Sequence, residues 1–331
     1  MERFIAIDNV CAWPNLTALP DGTIAAAIFN QPCHGLWEGD VEWWASNDGG
    51  RSWDRRAAVT THDPGTNRMN VASGLNAAGE PIVLVSGWSH RPPAGTGRAD
   101  HKPPAQPLAP WICRSGDGGR TWDRLGEIRS PETPAQPVIP FGDIVRLSDD
   151  CLGVCLYRAR GAEPHCLFYA SEDDGLSWQP RGVIGPGINE TTPAVLADGT
   201  LVACARTLGD QHLVLHQSSD CGATWRSDRP ISSGSQHPAH LLPLADGRLL
   251  LAYGDRRDGH HGIDVRLADE RGRWSDPQRL VDLDPGDLGY PATAQNPDAS
   301  LVTAWYSAGI AAHTRYHMGV AVWRTDELFG S

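Results

Sequence analysis

The alternation of apolar and polar residues along the chain predicts strands rather than helices. Six times, an apolar strand leads through a turn containing Asp, Gly or Asn into a second apolar strand, which is the pattern of a β-hairpin. The predicted hairpins span residues 16–29, 72–88, 143–157, 193–206, 240–254 and 292–306. A third strand follows, for example at 41–46, 109–115, 166–171, 212–218 and 263–269. Helical periodicity is nearly absent, so the sequence predicts an all-β fold.

An eight-residue phrase, Ser-x-Asp-x-Gly-x-Ser/Thr-Trp, follows the third strand in the first four units. Its copies lie at residues 46–53, 115–122, 171–178 and 218–225. The Asp carboxylate can accept backbone N–H groups within a tight loop, the Gly supplies a positive φ, and the Trp anchors the turn in the core. In the fifth unit the phrase decays to residues 268–274, and the sixth unit lacks it. We therefore interpret the phrase as a structural turn.

The recurrence of one unit along the chain predicts a closed repeat architecture. A spacing of about 45–70 residues between copies is typical of propellers and arrays, and radial closure protects the edges of four-stranded sheets. We predict one domain over residues 1–331, a six-bladed β-propeller with Asp-box turns. The strand at residues 3–7 has no hairpin partner of its own. We expect this N-terminal strand to supply the outer strand of the last blade and to close the ring.

Charge and composition exclude several classes of partner. The formal net charge is −12 and no stretch is strongly basic, which argues against nucleic acid or anionic membrane surfaces as partners. No apolar run approaches the roughly 18 residues of a membrane helix, and no signal-peptide pattern opens the sequence. The eight cysteines show no regular spacing and are expected to be reduced. We therefore expect a cytoplasmic protein with no cofactor and no metal; the oligomeric state stays open.

The Asp-containing turns and the hairpin units together resemble the sialidase superfamily of six-bladed propellers with Asp-box repeats. The resemblance implies a glycoside hydrolase that acts on a terminal acidic sugar, so an acidic glycan is the implied partner. Such enzymes use a Tyr nucleophile activated by a Glu, which departs from the usual two-carboxylate glycosidase pattern. They also use a carboxylic acid/base on an early loop and three Arg residues that grip the substrate carboxylate. The site is implied to lie near the central axis.

Three positions match the family's site in the expected blades and order. Glu190 stands directly before the fourth hairpin, where the family has its Glu. Arg206 ends that hairpin and matches one Arg of the triad, and Tyr290 stands before the sixth hairpin, where the family has its Tyr. The chemistry is coherent, because a phenol of pKa about 10 is a poor nucleophile at neutral pH unless a neighbouring carboxylate takes its proton.

The arginine triad is incomplete in this sequence. The family opens its first hairpin with Arg-Ile-Pro, whereas this chain has Ala12-Trp13-Pro14. For the third Arg, Arg256 and Arg257 are the nearest candidates, and Arg68 could replace the missing Arg from another blade. Because Arg suits a bidentate grip on a carboxylate, its loss is expected to change what the site recognises.

The acid/base has several candidates in one early loop. Residues 34–40 occupy the place of the family's catalytic Asp and offer His34, Glu38 and Asp40. Glu38 is preferred, because Asp40 immediately precedes the third strand and could only cap it; His34 is predicted to bind substrate. Tryptophans outside the repeated turn, such as Trp13, are expected to pack between sheets, with the walls of a sugar site as the alternative.

Two further polar residues are predicted to line the axial site. Asp143 opens the third hairpin, where a charge is expected only if it lines a cavity; a solvated carboxylate at the blade edge is the alternative. His237, before the fifth hairpin, is expected to point at the axis and to bind substrate or transfer a proton. His240 is expected to be structural.

The leading hypothesis is therefore a glycoside hydrolase resembling exo-sialidases. Its substrate would carry a terminal sialic acid, a related nonulosonic acid or a uronate. One alternative is a polysaccharide lyase or inverting glycosidase in which His237 transfers the proton. The other is a non-catalytic glycan-binding propeller, which the missing Arg favours.

Overall fold

The chain folds into β-strands that pair in sequence order. In the computed structural model, residues 1–89, 106–129, 137–158, 165–310 and 312–330 are described. Within these ranges the first strands are β1 (Glu2–Asp8), β2 (Cys11–Ala18), β3 (Ile24–Phe29), β4 (Val41–Ser46), β5 (Asp54–Ala58), β6 (Thr66–Leu75), β7 (Pro81–Ser89), β8 (Gln106–Arg114), β9 (Asp123–Glu127), β10 (Val138–Arg146), β11 (Leu152–Arg158) and β12 (His165–Ser171). They are followed by β13 (Gln179–Pro186), β14 (Ile188–Val195), β15 (Leu201–Thr207), β16 (Leu213–Ser218), β17 (Arg226–Pro230), β18 (Gln236–Pro243), β19 (Leu249–Asp255), β20 (Gly262–Ala268), β21 (Gln278–Asp282), β22 (Leu288–Gln295), β23 (Leu301–Ile310), β24 (His313–Trp323) and a short helix, α1 (Asp326–Phe329).

Consecutive strands pair antiparallel in sets of four. The sets β2–β5, β14–β17 and β18–β21 are separate sheets, whereas β6–β9 and β10–β13 join into one eight-stranded sheet. The join is a short parallel pairing of β10 with β6, in which Gly142 lies opposite Ala72 and Ile144 opposite Gly74. The first strands of neighbouring sets contact one another, and β2 contacts both β6 and β22, so these strands surround a common axis. The prediction of an all-β propeller is confirmed.

The last sheet contains both ends of the chain. Its strand order is β1-β24-β23-β22, and β1 pairs antiparallel with β24, with Glu2 opposite Val322 and Asp8 opposite His317. The prediction that the N-terminal strand forms the outer strand of the last sheet is confirmed. Because an unpaired edge would otherwise be left on β24, this pairing completes the ring.

The repeated Asp turns have the structural role that the sequence predicts. In the first copy, Asp48 Oδ1 accepts the backbone N–H groups of Arg51 and Ser52 at 3.0 and 2.9 Å. The Trp53 indole donates to the carbonyl of Gly50 at 2.9 Å. Gly50 has a φ of 91°, and a Cβ added there would lie 2.6 Å from Cγ1 of Val302. The turn therefore needs glycine both for its backbone conformation and for its close approach to the next sheet.

The core lies between neighbouring sheets. Every residue of β3 is buried, and its Ile24 and Ile28 pack in one cluster with Val302 and Val320 of the last sheet. Burial of each such side chain contributes about 1.5–3 kcal/mol, so the contacts between sheets supply much of the stability of the ring. Within the described ranges, no helix is both long and apolar enough to cross a membrane.

Candidate active site

Register irregularities occur in all six innermost strands. In β2, β6, β14, β18 and β22, the register with the following strand shifts in the first half of the strand, whereas in β10 it shifts further along, between Phe141 and Val145. Trp13, Glu190, His237 and Tyr290 lie within these irregular segments. A bulge bends its strand and re-aims a side chain, and such features occur next to active sites. The bulges therefore explain how one end of the ring can present polar side chains to the axis.

Two cavities meet at Tyr290 and Glu190. The smaller one, of about 30 Å³, is also lined by Trp13, Asn70 and Phe141 among others. The larger one, of about 280 Å³, adds side chains from several blades around the same two residues: His34, Trp88, Tyr157, Arg158, Asn189 and Leu208. Together they form a cleft at the axis that is lined by aromatic walls and a few charged groups, as is usual for a small-molecule site.

Glu190 connects Tyr290 to Arg206. The Tyr290 hydroxyl donates to Glu190 Oε1 at 2.5 Å, and Arg206 Nη1 donates to Glu190 Oε2 at 2.5 Å. Burial, together with the nearby Glu190 carboxylate, raises the pKa of Tyr290 well above its ordinary value. Burial lowers the pKa of Arg206, but the Glu190 carboxylate more than offsets this effect and raises it. The Tyr290 phenol therefore stays protonated beside a base, the Glu190 carboxylate, and that carboxylate is held in place by the Arg206 guanidinium.

The backbone at Tyr290 adopts a conformation that is rare for a bulky residue. Its φ is 50°, and the φ of Gly289 before it is 112°. A non-glycine residue at positive φ costs about 1–3 kcal/mol and is found preferentially at functional sites. The packing of the ring explains how this conformation is held, because the Tyr290 ring contacts Trp13, Phe141 and Tyr306 at centroid distances of 5.5–6.0 Å.

Of the two adjacent arginines, the structure brings Arg256 to the site and not Arg257. The guanidinium of Arg256 lies 5.6 Å from the centre of the Tyr290 ring and 3.6 Å from Asp287. Arg257 instead pairs with Asp255, a fully buried carboxylate that also has Arg279 at 3.5 Å. Arg257 therefore belongs to an ion-pair cluster within the fifth unit, on its own side of β19.

Asp287 is a site residue that the sequence did not reveal. It accepts hydrogen bonds from Tyr306 at 2.5 Å and Tyr316 at 3.1 Å, and its Oδ2 lies 2.8 Å from His34 Nδ1. Burial alone would raise the pKa of Asp287, but the bonds from His34 and Tyr306 and the charge of Arg256 hold it well below its ordinary value. The carboxylate is therefore ionised, and its neighbour His34 lines the larger cavity.

The preferred acid/base candidates face a different histidine. His62 lies between them, with Nε2 at 2.8 Å from Glu38 and Nδ1 at 2.8 Å from Asp40. Glu38 also accepts from the backbone of Gly65 at 2.6 Å, and Asp40 from the hydroxyl of Thr60 at 3.0 Å. Among the described residues that line the two cavities, neither carboxylate is present. An acid/base role for Glu38 or Asp40 stays a prediction.

Arg68 points away from Tyr290 and Glu190. Its guanidinium lies 3.7 Å above the ring of Trp111, and Arg124 lies 3.9 Å from the same ring. Arg68 also donates to the carbonyl of Ala109 at 3.0 Å. Burial and the charge of Arg124 lower the pKa of Arg68 to about 10. The structure therefore stacks Arg68 within its own blade, and Arg68 is not among the described residues that line the two cavities; its role as a replacement for the missing Arg stays a prediction.

His237 is buried beside the arginines of the site. Burial, with the charges of Arg206 and Arg256, lowers its pKa to about 2, so the imidazole is neutral. Its Nδ1 has no hydrogen-bond partner among the described residues. His237 therefore lies near Arg206 and Arg256, while its predicted orientation towards the axis and its binding or proton-transfer role stay predictions.

A polar network includes three residues that line the smaller cavity: Asn15, Gly142 and His240. His240 Nε2 lies 3.0 Å from Asp143 Oδ2, and His240 Nδ1 accepts the backbone N–H of Thr293 at 3.2 Å. Asn15 donates to the carbonyl of Gly142 at 2.9 Å. Asp143 also borders a cavity of about 500 Å³ that does not include Tyr290. Asp143 therefore lines a cavity that lacks Tyr290 and pairs with His240, and its substrate-binding role stays a prediction.

The sequence also missed Arg158, which lines the larger cavity near the end of the third hairpin. Arg206 ends the fourth hairpin and Arg256 follows the fifth. Alignment of the repeated hairpins would therefore have found Arg158, because it stands at the corresponding place in the third unit. Trp13 is buried in a core cluster, as the favoured interpretation has it, and it also lines both cavities. The side chain at Ala12 lies outside the described residues. Across the described ranges, no three metal-ligating side chains converge.

Comparison with known proteins identifies the family to which the chain belongs. A family model described as BNR repeat-like domain matches residues 108–303, more than half of the chain. The chain therefore belongs to the BNR repeat-like family. A comparison with curated protein sequences finds no match.

Solved structures share the fold along nearly the whole chain. A protein of unknown function from Dyadobacter fermentans aligns with a TM-score of 0.82 at 20% identity, covering 98% of both chains. The Hadza microbial sialidase aligns with a TM-score of 0.74 at 18% identity, covering 98% of this chain and 66% of its own. The sialidase of Trypanosoma rangeli, in complex with the inhibitor DANA, aligns with a TM-score of 0.71 at 14% identity, covering 98% and 56%. The fold is thus that of sialidase propellers, and this chain spans two thirds or less of those two sialidases.

Proposed function

We propose that the protein is a glycoside hydrolase that removes a terminal acidic sugar. The observation that carries this proposal is the 2.5 Å hydrogen bond from Tyr290 to Glu190, inside a cleft at the propeller axis. Nucleophile and base within hydrogen-bond reach, with the base held by a third group, are the signature of an activated nucleophile. Arg206 supplies that third group.

The reaction begins with attack of the Tyr290 oxygen on the anomeric carbon of the sugar. Because burial raises the pKa of the phenol, the proton must leave during the attack, and Glu190 Oε1 accepts it. The bond from the anomeric carbon to the leaving oxygen breaks, and that oxygen takes a proton from a general acid. Water then attacks the glycosyl-tyrosine and gives a proton back to the general acid, and Glu190 returns its proton to the departing Tyr290 oxygen. A retaining outcome follows from the two displacements.

The charges around the cleft favour an acidic sugar. Arg256 lies beside the Tyr290 ring, and Arg158 lines the larger cavity, so two cations other than the one that braces Glu190 are near the reacting group. A guanidinium suits a carboxylate because it can donate two parallel hydrogen bonds. Trp13 offers an aromatic wall to the same cleft. Sialic acid, another nonulosonic acid or a uronate fits this combination.

A panel of 4-methylumbelliferyl glycosides tests the proposal. We expect release of the fluorophore from the glycoside of N-acetylneuraminic acid, a related nonulosonic acid or glucuronic acid. Glu190→Gln should lower turnover by about 10²–10⁴, the usual contribution of a general base, and Tyr290→Phe should lower it further. Tyr253→Phe, in the core of another blade, and Glu80→Gln, at an outer ion pair, are matched controls and should keep wild-type turnover.

Product analysis separates this function from the alternatives. An unsaturated, ultraviolet-absorbing uronate would identify a lyase, and affinity for a glycan without turnover across the panel would identify a binding module. A pKa of about 2 for His237 argues against this residue as the base of a lyase, because its protonated form is too unstable near neutral pH. Full activity in both Tyr290→Phe and Glu190→Gln would overturn the proposed hydrolase mechanism.

A further inference from the structure

We infer that His34 is the general acid that protonates the leaving oxygen, and that Asp287 is its positioning residue, an inference that rests on the proposed hydrolase function. His34 lies in the loop where the family's carboxylic acid/base is expected. In this loop the described carboxylates face His62, whereas the imidazole of His34 lines the cleft together with Tyr290 and Glu190. The acid would therefore be an imidazolium in place of a carboxylic acid.

Two contacts define the orientation of the His34 ring, one from the segment just before β22 and one from β2. Its Nδ1 lies 2.8 Å from Asp287 Oδ2, and its plane meets the ring of Trp13 edge-on, at 87° and a centroid distance of 4.9 Å. Trp13 in turn contacts the Tyr290 ring at 5.5 Å. Asp287 precedes Tyr290 by three residues, just before β22. The histidine, its carboxylate and the nucleophile are thus fixed against one another by a short stretch of chain and one tryptophan.

The charge state of Asp287 decides which ring nitrogen carries the proton. Asp287 accepts from Tyr306 and Tyr316 and lies 3.6 Å from Arg256, so it is an ionised acceptor. A carboxylate has no proton to donate, and the hydrogen in the His34–Asp287 contact therefore belongs to Nδ1. Proton exchange with a substrate then falls to Nε2, as it does wherever a carboxylate orients a catalytic histidine.

The proton transfers by Glu190 and by His34 balance over the two steps of the reaction. As the Tyr290 oxygen bonds to the anomeric carbon and its proton passes to Glu190, the glycosidic C–O bond breaks and the leaving oxygen takes the Nε2 proton of the His34 imidazolium. In the second step, water attacks the anomeric carbon and loses a proton to His34 Nε2. The C–O bond to Tyr290 breaks, and Glu190 returns the proton to the phenolate oxygen. The enzyme ends in its starting state.

Leaving-group dependence tests the assignment on the intact protein. The probes are the 4-methylumbelliferyl and methyl glycosides of the same acidic sugar, because a phenolic leaving group needs little protonation and an alkoxide needs much. We expect His34→Gln to lower kcat/KM for the methyl glycoside by about 10²–10⁴ and to change the aryl glycoside far less. Asp287→Asn should show the same pattern more weakly. If Glu38→Gln or Asp40→Asn produces this pattern and His34→Gln does not, the inference is overturned while the hydrolase function stands.

A measurement that needs no substrate addresses the dyad directly. In proton–nitrogen spectra of the histidine rings, neutral His34 should carry its proton on Nδ1, and Asp287→Asn should raise the share of the Nε2-protonated tautomer, because the ring then loses the carboxylate that accepts the Nδ1 proton. Within the part of the chain that the structure describes, the charged and titratable groups in contact with this pair include Arg256, Tyr306 and Tyr316. A neutral His34 protonated on Nε2 in the wild type, or a tautomer ratio unchanged by Asp287→Asn, would overturn the inference. Failure of the proposed hydrolase mechanism would appear separately, because turnover would then survive in both Tyr290→Phe and Glu190→Gln.

Discussion

The Tyr290 hydroxyl donates a 2.5 Å hydrogen bond to Glu190, a residue 100 positions earlier in the chain and two blades away. Each residue lies in the bulge of an innermost strand, so the bond depends on closure of the ring and not on local structure. Glu190 is also held by Arg206 from the neighbouring strand of its own hairpin. The site is therefore a product of the propeller, and the repeated turns that build the propeller are indirectly necessary for it.

Loss of the cation beside Glu190 is expected to destabilise the fold. Arg206→Met leaves a largely buried carboxylate without its partner, which should cost about 3 kcal/mol. Adding Glu190→Gln should recover much of that loss, because the buried charge is then removed as well. Urea unfolding of the two single variants and the double variant measures the coupling. Strictly additive losses would show that the ion pair does not stabilise the fold in this way.

The two adjacent arginines should differ sharply in their effects on activity. Arg256→Gln is expected to lower kcat/KM for an acidic sugar by about tenfold or more, as the loss of a charged hydrogen bond does. Arg257→Gln should leave turnover near the wild-type value and lower stability instead, because Asp255 is buried and loses a partner. Steady-state kinetics and thermal unfolding of both variants make the comparison. Equal kinetic effects would contradict the placement of Arg256 alone at the site.

The Asp turns should contribute to the acid sensitivity of the fold. Backbone and hydroxyl bonds from Thr121 lower the pKa of Asp117 to about 2, and the equivalent bonds from Thr224 do the same for Asp220. A carboxylate whose folded pKa is depressed stabilises the fold above its unfolded pKa, about 3.9, and this stability is lost as the pH falls towards 2. Asp220→Asn should therefore lose less stability than the wild type between pH 5 and pH 3 in urea unfolding. An identical loss in both would contradict this role.

Glycine in the first Asp turn is expected to be needed for packing as well as for φ. Gly50→Ala combines a φ of 91° with a Cβ 2.6 Å from Val302, whereas Gly259→Ala has a φ of 76° and no atom within 4 Å of the added Cβ. We expect the second substitution to cost about 1 kcal/mol from the backbone alone and the first to cost about 1–3 kcal/mol more from overpacking. Chemical denaturation of the two variants separates the contributions.

The pattern of strands could be predicted because it is local. Each hairpin carries its own turn residues, and β4 occurs at the predicted residues, Val41–Ser46. The end-to-end pairing of β1 with β24 was also predictable, because a propeller leaves only one edge for an unpaired strand. Glu190, Arg206 and Tyr290 were found through the resemblance, and the structure brings their side chains together.

The rest of the site depends on contacts that no local pattern encodes. His34 and Asp287 are 253 positions apart, and only the closed ring makes them neighbours. Glu38 and Arg68 are of the residue types that the site requires. However, Glu38 contacts His62 and Arg68 stacks on Trp111, and neither is among the described residues that line the cleft. Arg256 and Arg257 are adjacent and chemically identical, and the end of β19 decides which of them faces Tyr290.

The most direct test of the central claim is a covalent trap at Tyr290. A 2,3-difluoro analogue of the acidic sugar that the enzyme turns over should form a glycosyl-enzyme that hydrolyses slowly, because fluorine beside the anomeric carbon destabilises the oxocarbenium-like transition state. Mass spectrometry of the intact wild-type protein should show one added sugar, located on the peptide that contains Tyr290, and Tyr290→Phe should show none. An adduct on another residue, or one that persists in Tyr290→Phe, would contradict the account.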